Sequence, residues 1–334
     1  CTVDGCVWMI RCVSSSLGAS CGASTLLGLL VTYVDDLLVL CGAGPVRAGL
    51  LQVLVSMWEC SAESFLTATT PLTFCGLEIA AHGSSIEIHQ KRYVDQLLVK
   101  YDFESVKPLN CISMEKVVDE DVPDDEQLRD LQARAGELNW LATRTRPDLA
   151  YYVSLLASTL KKHASWSRQL ATKVLKYLSG TREVGIFFHQ ASAGTSRGTF
   201  RPETVLDVFS DAGFAGFGTR SQTGILICWG GAPVLWRSAR QTTSATSTGE
   251  AELTAAALAV QCGLGLRQLV EEWVDTTPIL NLYVDNTSAI SVASSGGTWR
   301  SRYYAVRGQL LHELVLRNQL NLFHVNTKEE LADT

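Results

Sequence analysis

Two sets of carboxylates carry the chemistry that this sequence could perform. The first is the adjacent pair Asp35 and Asp36, set between apolar runs of strand length. Neighbouring carboxylates repel one another unless a cation neutralises them, and magnesium takes oxygen ligands. The second set is dispersed. Asp211, Glu252 and Asp285 lie far apart in the chain, yet each falls at the end of a predicted core element. One acid in the first turn of a helix is explained by the helix macrodipole. Three acids at matching ends of three core elements point to a shared site.

The elements that must position these groups follow from periodicity. Leu26 to Cys41 reads as a hairpin with Asp35-Asp36 at its centre. Val205 to Asp211 alternates like a strand, and Gly213, Gly216 and Gly218 predict a turn-rich stretch after it. Gly224 to Trp229 and Pro233 to Arg237, joined by Gly230-Gly231, complete a three-strand meander. Thr248 to Trp273 has helical period, with Leu253, Ala257, Val260 and Leu264 on one face. Ile279 to Asp285 is an apolar strand ending in an acid. Helices are predicted over Ser288–Ser294 and Ala305–Leu316, and a last strand over Leu320–Val325. Thr327 with Glu330 three residues on forms a capping box that opens a terminal helix. This order predicts an α/β domain, a mixed sheet with helices on its faces. Glu250 sits about 200° around the helix from Glu252 and reads as a helix-start acid. His312, on a helix, and His324, in a strand, read as structural.

With 334 residues, 46% hydrophobic and 19% charged, the chain is globular and long enough for more than one core. Its net charge of −6 argues at first against a nucleic-acid partner. Split by segment, the sum dissolves. Residues 102–130 hold three basic and ten acidic side chains, net −7, whereas residues 131–200 hold ten and three, net +7. The acidic stretch, with Pro108, Pro123 and the run Asp124-Asp125-Glu126, reads as a solvated linker. The basic stretch has helical spacing and reads either as a solvated helix face or as a phosphate-tracking surface bearing Arg144, Arg146, Lys161, Lys162, Lys173 and Lys176. The ten cysteines show no C-x-x-C pair and lack the tighter, repeated spacing that a zinc site or disulfide framework would need, which predicts reduced thiols in an intracellular chain. Asp35 and Asp36 argue against a membrane span in the apolar stretch around them, and the N-terminal residues, with no basic region followed by a clean apolar run, are not expected to be a signal sequence. The start at Cys1 is expected of a fragment.

Tyr33-Val34-Asp35-Asp36 resembles the palm motif of reverse transcriptases, and its surroundings resemble copia-type LTR retrotransposons. Phe74-Cys75-Gly76-Leu77-Glu78-Ile79 and Ile86 to Val94 are similar to that family's post-palm strands and helix. Gly136 to Leu141, Thr145-Arg146-Pro147-Asp148 and Val174 to Thr181 are similar to its connection region. Ser210 to Gly216, Ser221 to Gly224, Trp236-Arg237-Ser238, Ser247 to Leu253, Tyr283 to Ile290 and Asn326 to Thr334 resemble the ribonuclease H domain that follows in these Pol polyproteins. Leu253 stands where the family usually has Tyr.

The resemblance implies a division into the end of a palm with a thumb-like region (1–110), the acidic linker (111–130), a basic helical connection (131–200) and a ribonuclease H-like domain (201–334) with a mixed five-stranded sheet. It implies that Asp211, Glu252, Asp285 and Asp333 bind two magnesium ions, with manganese as a substitute, and that the reaction is hydrolysis of RNA in an RNA–DNA hybrid. It makes Asp35 and Asp36 metal ligands of a palm whose other metal-binding acid and fingers have no counterpart in the roughly thirty residues before Tyr33. No polymerase activity is expected of this chain alone. The implied partners are hybrid and template–primer nucleic acid, with no membrane. Two other outcomes stand beside this one: a catalytically inactive retroelement remnant that binds nucleic acid or only folds, and, further off, a DNA integrase or transposase.

Overall fold

Apolar runs of strand length pair into three separate sheets, and long helical segments fill the space between them. The computed structural model describes residues 1–11, 26–114, 120–189, 204–217, 220–274, 276–295, 305–326 and 330–332. The first sheet has the antiparallel order β1 (Val7–Arg11), β2 (Leu26–Tyr33), β3 (Asp36–Cys41). Helix α1 (Pro45–Met57) follows it.

The second sheet is assembled from distant pieces. Strands β4 (Leu72–Phe74), β5 (Leu77–His82) and β6 (Ser85–His89) form a meander, and β7 (Ile186–His189) joins at the β6 edge. Between β6 and β7 the chain makes α2 (Lys91–Lys100), α3 (Asp125–Arg144), a short 3-10 turn at Pro147–Leu149, α4 (Ala150–Thr159) and α5 (Ala164–Gly180). Val94 and Leu98 of α2 share one core with Leu131, Leu138 and Leu141 of α3, Leu156 of α4 and Leu175 of α5. Each such side chain, once buried, contributes about 1.5–3 kcal/mol. The boundaries expected at 110 and 130 therefore cut through a single packed unit.

The acidic run is not a linker throughout. Asp124 caps α3, its carboxylate accepting from the backbone N–H groups of Glu126 (3.0 Å) and Gln127 (2.8 Å), and Asp125 and Glu126 occupy the first turn. Their charge complements the macrodipole. Upstream, Asp121 accepts from the N–H of Ser165 at 2.8 Å, which pins the acidic segment to the start of α5.

The third sheet is the mixed five-stranded one expected. Its order is β10 (Ala232–Arg240), β9 (Arg220–Trp229), β8 (Val205–Phe217), β11 (Ile279–Val284), β12 (Leu320–His324). The first three strands run antiparallel; β11 is parallel to β8, and β12 to β11. Gly230 and Gly231 have φ of 59° and 83°, the left-handed pair that a tight hairpin turn requires. Between these strands lie α6 (Thr248–Val274), α7 (Thr287–Ser295) and α8 (Ala305–Leu316). The five-stranded mixed sheet and its order of helices are those the resemblance implies.

Two expectations fail here. Gly213 and Gly216 are not turn residues, since β8 runs on to Phe217 with an irregularity in its pairing to β9 between Gly213 and Phe217, while Gly218 lies outside the described residues. Cross-strand hydrogen bonding outweighs the local preference of glycine. The terminal helix is also missing among the described residues, where Leu331 and Ala332 form a turn; Thr327 lies outside them.

Helix α6 is the described helix long and apolar enough to cross a membrane. In this fold its small-residue face, Ala251, Ala255, Ala256 and Ala259, is buried in the domain. A Cβ on Gly263 would come within 3.3 Å of Val208 and Leu280, so glycine there lets α6 lie close over β8 and β11. The helical unit and this domain are tied by Gln222, whose side-chain amide donates to the Ser154 hydroxyl at 2.9 Å, and by Trp236, whose indole N–H donates to the Ala142 carbonyl at 2.5 Å.

Candidate metal centre

Strand register brings the dispersed acids together. Phe209 on β8 is paired with Tyr283 on β11 in parallel register. Two residues further along each strand, Asp211 and Asp285 therefore come level at the same end of the sheet. Asp211 lies within β8, paired across to Gly224 of β9, and not at a strand end as its sequence position predicts. Asp285 directly follows β11. Glu252 enters from the first turns of α6. Asp211, Glu252 and Asp285 each offer a carboxylate oxygen within 4.8 Å of the other two.

Glu252 is only 7% exposed, and its Oε2 is buried with no hydrogen-bond partner. Burial, with the charges of Asp211 and Asp285 beside it, pushes the Glu252 carboxyl up to about 8, against the lowering effect of a hydrogen bond from the Ala212 backbone N–H. A buried carboxylate oxygen without a donor, facing two more acids, is costly unless a cation joins it. The all-oxygen donor set fits a hard divalent ion. Without that ion the three carboxylates are mutually destabilising.

The neighbouring acid does something else. Glu250 turns its carboxylate to Thr246, accepting from its N–H and its hydroxyl at 2.7 Å each, while the Glu250 N–H donates to the Ser247 hydroxyl at 3.2 Å. It is a helix-start acid, as its angular position on the helix predicts. His312 bonds the Ala293 carbonyl (3.2 Å) and His324 the Asp285 carbonyl (3.0 Å), both within the fold. Asp333 lies outside the described residues.

Two participants are not evident from spacing. Glu330, read as a capping acid, is 6% exposed, and its charge adds to the upward push on Glu252. Its Oε1 accepts from the Ala332 N–H, two residues ahead, at 3.1 Å. Gln241 is buried between β9 and the start of α6. No periodicity marks either residue, because the contacts that define them come from distant parts of the chain.

The first carboxylate pair is arranged differently. The hairpin turn is Val34-Asp35, with Asp36 already in β3 opposite Tyr33. Val34 has φ of 55°, a left-handed conformation that disfavours a β-branched residue, and so the hairpin tip is strained. Asp35 and Asp36 are both exposed, and among the described residues neither belongs to a cluster of three potential ligands. Burial raises the pKa of the Cys75 thiol, Asp36 raises it further and Arg144 lowers it, so the hairpin tip and the end of α3 are electrostatic neighbours.

The basic residues divide. Arg144, Lys161 and Lys162 are exposed, with Arg144 lying over the Trp140 ring at 4.7 Å. Arg146 is not on the surface. It is 1% exposed, held by Asp148 at 2.9 and 2.7 Å and donating to the Thr181 carbonyl and hydroxyl at 2.9 Å each. Its guanidinium is consumed in joining the 3-10 turn to the end of α5, so it does not serve as a phosphate contact. Lys173 and Lys176 are partly buried, and Lys173 donates to the Ser113 carbonyl at 3.0 Å.

No protein-family model matches the chain. Among solved structures, it is similar to LC11-RNase H1 isolated from compost, at 15% identity and a TM-score of 0.31, covering 39% of this chain and 91% of that one. A crystal structure of LC11-RNase H1 in complex with RNA/DNA hybrid matches at 16% identity and a TM-score of 0.29, over 38% and 88% of the two chains. Among curated proteins, the Transposon Ty1-NL2 Gag-Pol polyprotein of Saccharomyces cerevisiae is 26% identical over 211 residues, 62% of this chain and 12% of that polyprotein. The Retrovirus-related Pol polyprotein from transposon RE1 of Arabidopsis thaliana is 25% identical over 323 residues, 91% of this chain and 20% of that relative. The chain thus spans a fifth or less of the length of these relatives. Over nine-tenths of its residues, it is similar to the Pol polyproteins of retrotransposons.

Proposed function

We propose that the third-sheet domain is a magnesium-dependent ribonuclease that cleaves the RNA strand of RNA–DNA hybrids, in a chain corresponding to the end of a palm, a connection and a ribonuclease H domain. The observation that carries this reading is the convergence of Asp211, Glu252 and Asp285, with the Oε2 of Glu252 buried and lacking a donor. Asp333 completes the set in this reading.

These carboxylates would hold divalent ions, whose chemistry there would be to activate water and stabilise charge at the leaving oxygen. The chain's own residues do the rest. Asp211, on the central strand, is within reach of both Glu252 and Asp285 and holds the group together. The Ala212 N–H keeps the Glu252 carboxylate turned toward Asp211. Arg144, Lys161 and Lys162 provide exposed positive charge for the duplex backbone, which makes binding salt-dependent. Selectivity for a hybrid rests on 2′-hydroxyl and phosphate contacts across the shallow minor groove.

The test is incubation of the 334-residue chain with a hybrid labelled on each strand in turn, in magnesium and in EDTA. Magnesium-dependent shortening of the RNA strand alone is expected. Cleavage of the DNA strand would place the activity with integrases, and binding without cleavage would mark a silent remnant.

A further inference from the structure

Gln241 lies in the connection between β10 and α6, and its bonds reach α6, which carries Glu252, and β9, the strand paired with the one that carries Asp211. Its backbone N–H donates to the Ser221 carbonyl at 2.8 Å, prolonging the strand pairing beyond Arg240. Its side-chain amide donates to the Thr223 hydroxyl at 3.0 Å and to the Ala251 carbonyl at 2.9 Å. Both amide hydrogens are thus used, and the residue is 6% exposed.

The two acceptors are informative. Ala251 immediately precedes Glu252, so a bond to its carbonyl fixes the peptide plane from which Glu252 departs. Thr223 immediately precedes Gly224, the cross-strand partner of Asp211, and is itself paired with Ala212. One buried amide therefore spans from the strand that backs Asp211 to the helical turn that carries Glu252. The α6 ladder already begins at the Ser247 carbonyl, which accepts from the Ala251 N–H at 3.1 Å, and the Ala251 carbonyl lies within the helix, so Gln241 adds a second bond where the helix does not need one. That surplus is accounted for by position: it holds the start of α6 against β9.

We propose that Gln241 is a positioning residue for the divalent-cation site, setting the separation of the Asp211 and Glu252 carboxylates. This rests on the cation-binding reading given above. Cation affinity depends steeply on donor separation, and loss of an outer-shell partner typically lowers it by about 10–100-fold. Gln222 provides a matched control. It is also a buried glutamine with two donor bonds, to Ser154 and Ser238, but it ties β9 to α4 and β10 and not to α6.

The experiment titrates the full chain and the variants Gln241→Leu, Thr223→Val, Gln222→Leu and Asp211→Asn with Mn2+ and with Mg2+ by calorimetry, and records the thermal midpoint of each without cation. Gln241→Leu is expected to weaken cation binding about tenfold, and Thr223→Val by about threefold because the Ala251 bond survives. Gln222→Leu is expected to lower the midpoint while leaving affinity within about twofold of the parent. If Gln241→Leu and Thr223→Val both bind like the parent, or if Gln222→Leu weakens binding as much as they do, the positioning role is overturned. Should Gln241→Leu fail to fold, Thr223→Val against Gln222→Leu decides by the same criterion. Loss of binding in Asp211→Asn shows that the titration reports this site. A parent chain that binds neither ion overturns the cation reading and this inference with it.

Discussion

The carboxylates of Asp211 and Glu252 stand within 4.8 Å of each other, one carried by the central strand and the other by the long helix, and the second is buried. Two like charges held this close in a poorly solvated place form an arrangement that a folded chain stabilises only with a proton or a cation. Without a cation, burial and the two neighbouring acids favour the protonated Glu252 carboxyl up to about pH 8.

That choice has a measurable pH dependence. The Glu252 carboxyl rises from 4.5 to about 8 on folding, chiefly through burial and then through Asp211 and Asp285. Between these values the folded chain keeps a proton that the unfolded chain has released. Stability of the cation-free protein therefore falls as pH rises from about 4.5 to about 8 and levels off above, by a few kcal/mol in order of magnitude. Urea unfolding in EDTA from about pH 5 to about pH 8.5 measures the slope. Glu252→Gln is expected to flatten it and to raise stability at the alkaline end. An unchanged slope would show that Glu252 is not the group responsible.

Arg146 and the exposed cations are predicted to separate in their effects. Arg146→Ala removes the buried guanidinium that joins the 3-10 turn to the end of α5 and leaves the Thr181 carbonyl without that donor, while exposed Asp148 keeps the Tyr177 hydroxyl; it should cost about 1–3 kcal/mol in urea unfolding. Lys161→Ala with Lys162→Ala should cost little stability, because both are exposed. It should weaken binding to hybrid and reduce the salt slope of the affinity by about one for each phosphate that these lysines neutralise. A slope unaffected by the double substitution would remove these lysines from the interface.

The hairpin at Tyr33–Asp36 is predicted not to support synthesis in this chain. Asp35 and Asp36 are exposed, with no three-member ligand cluster around them among the described residues. A primed RNA template with deoxynucleotides and magnesium should show no primer extension; clear extension would contradict this assignment.

The third sheet was legible in the sequence because its period-2 runs and the 27-residue helix are long and unambiguous. Asp211, Glu252 and Asp285 were legible too, since acids that interrupt apolar elements are conspicuous. Local patterns mislead where tertiary pairing overrides them. Gly213 reads as a turn residue but is held in a long strand by its pairing with Gln222 of β9. Arg146 reads as a surface cation because composition counts charge without showing the Asp148 and Thr181 partners that bury it. The acidic run before α3 reads as a linker because capping acids and solvated acids look alike in composition. Gln241 has no signal of its own, since its importance comes from residues on two other elements.

In the proposed function Asp211 anchors a cation-dependent hydrolytic site. The most direct measurement compares the parent chain and Asp211→Asn on the same RNA–DNA hybrid in magnesium, at matched binding. Cleavage of the RNA strand by the parent is expected, with at least about a hundredfold loss in the variant and hybrid affinity little changed; roughly two orders of magnitude is what removal of one stabilising group in an active site commonly costs. Equal cleavage by the two proteins would contradict it.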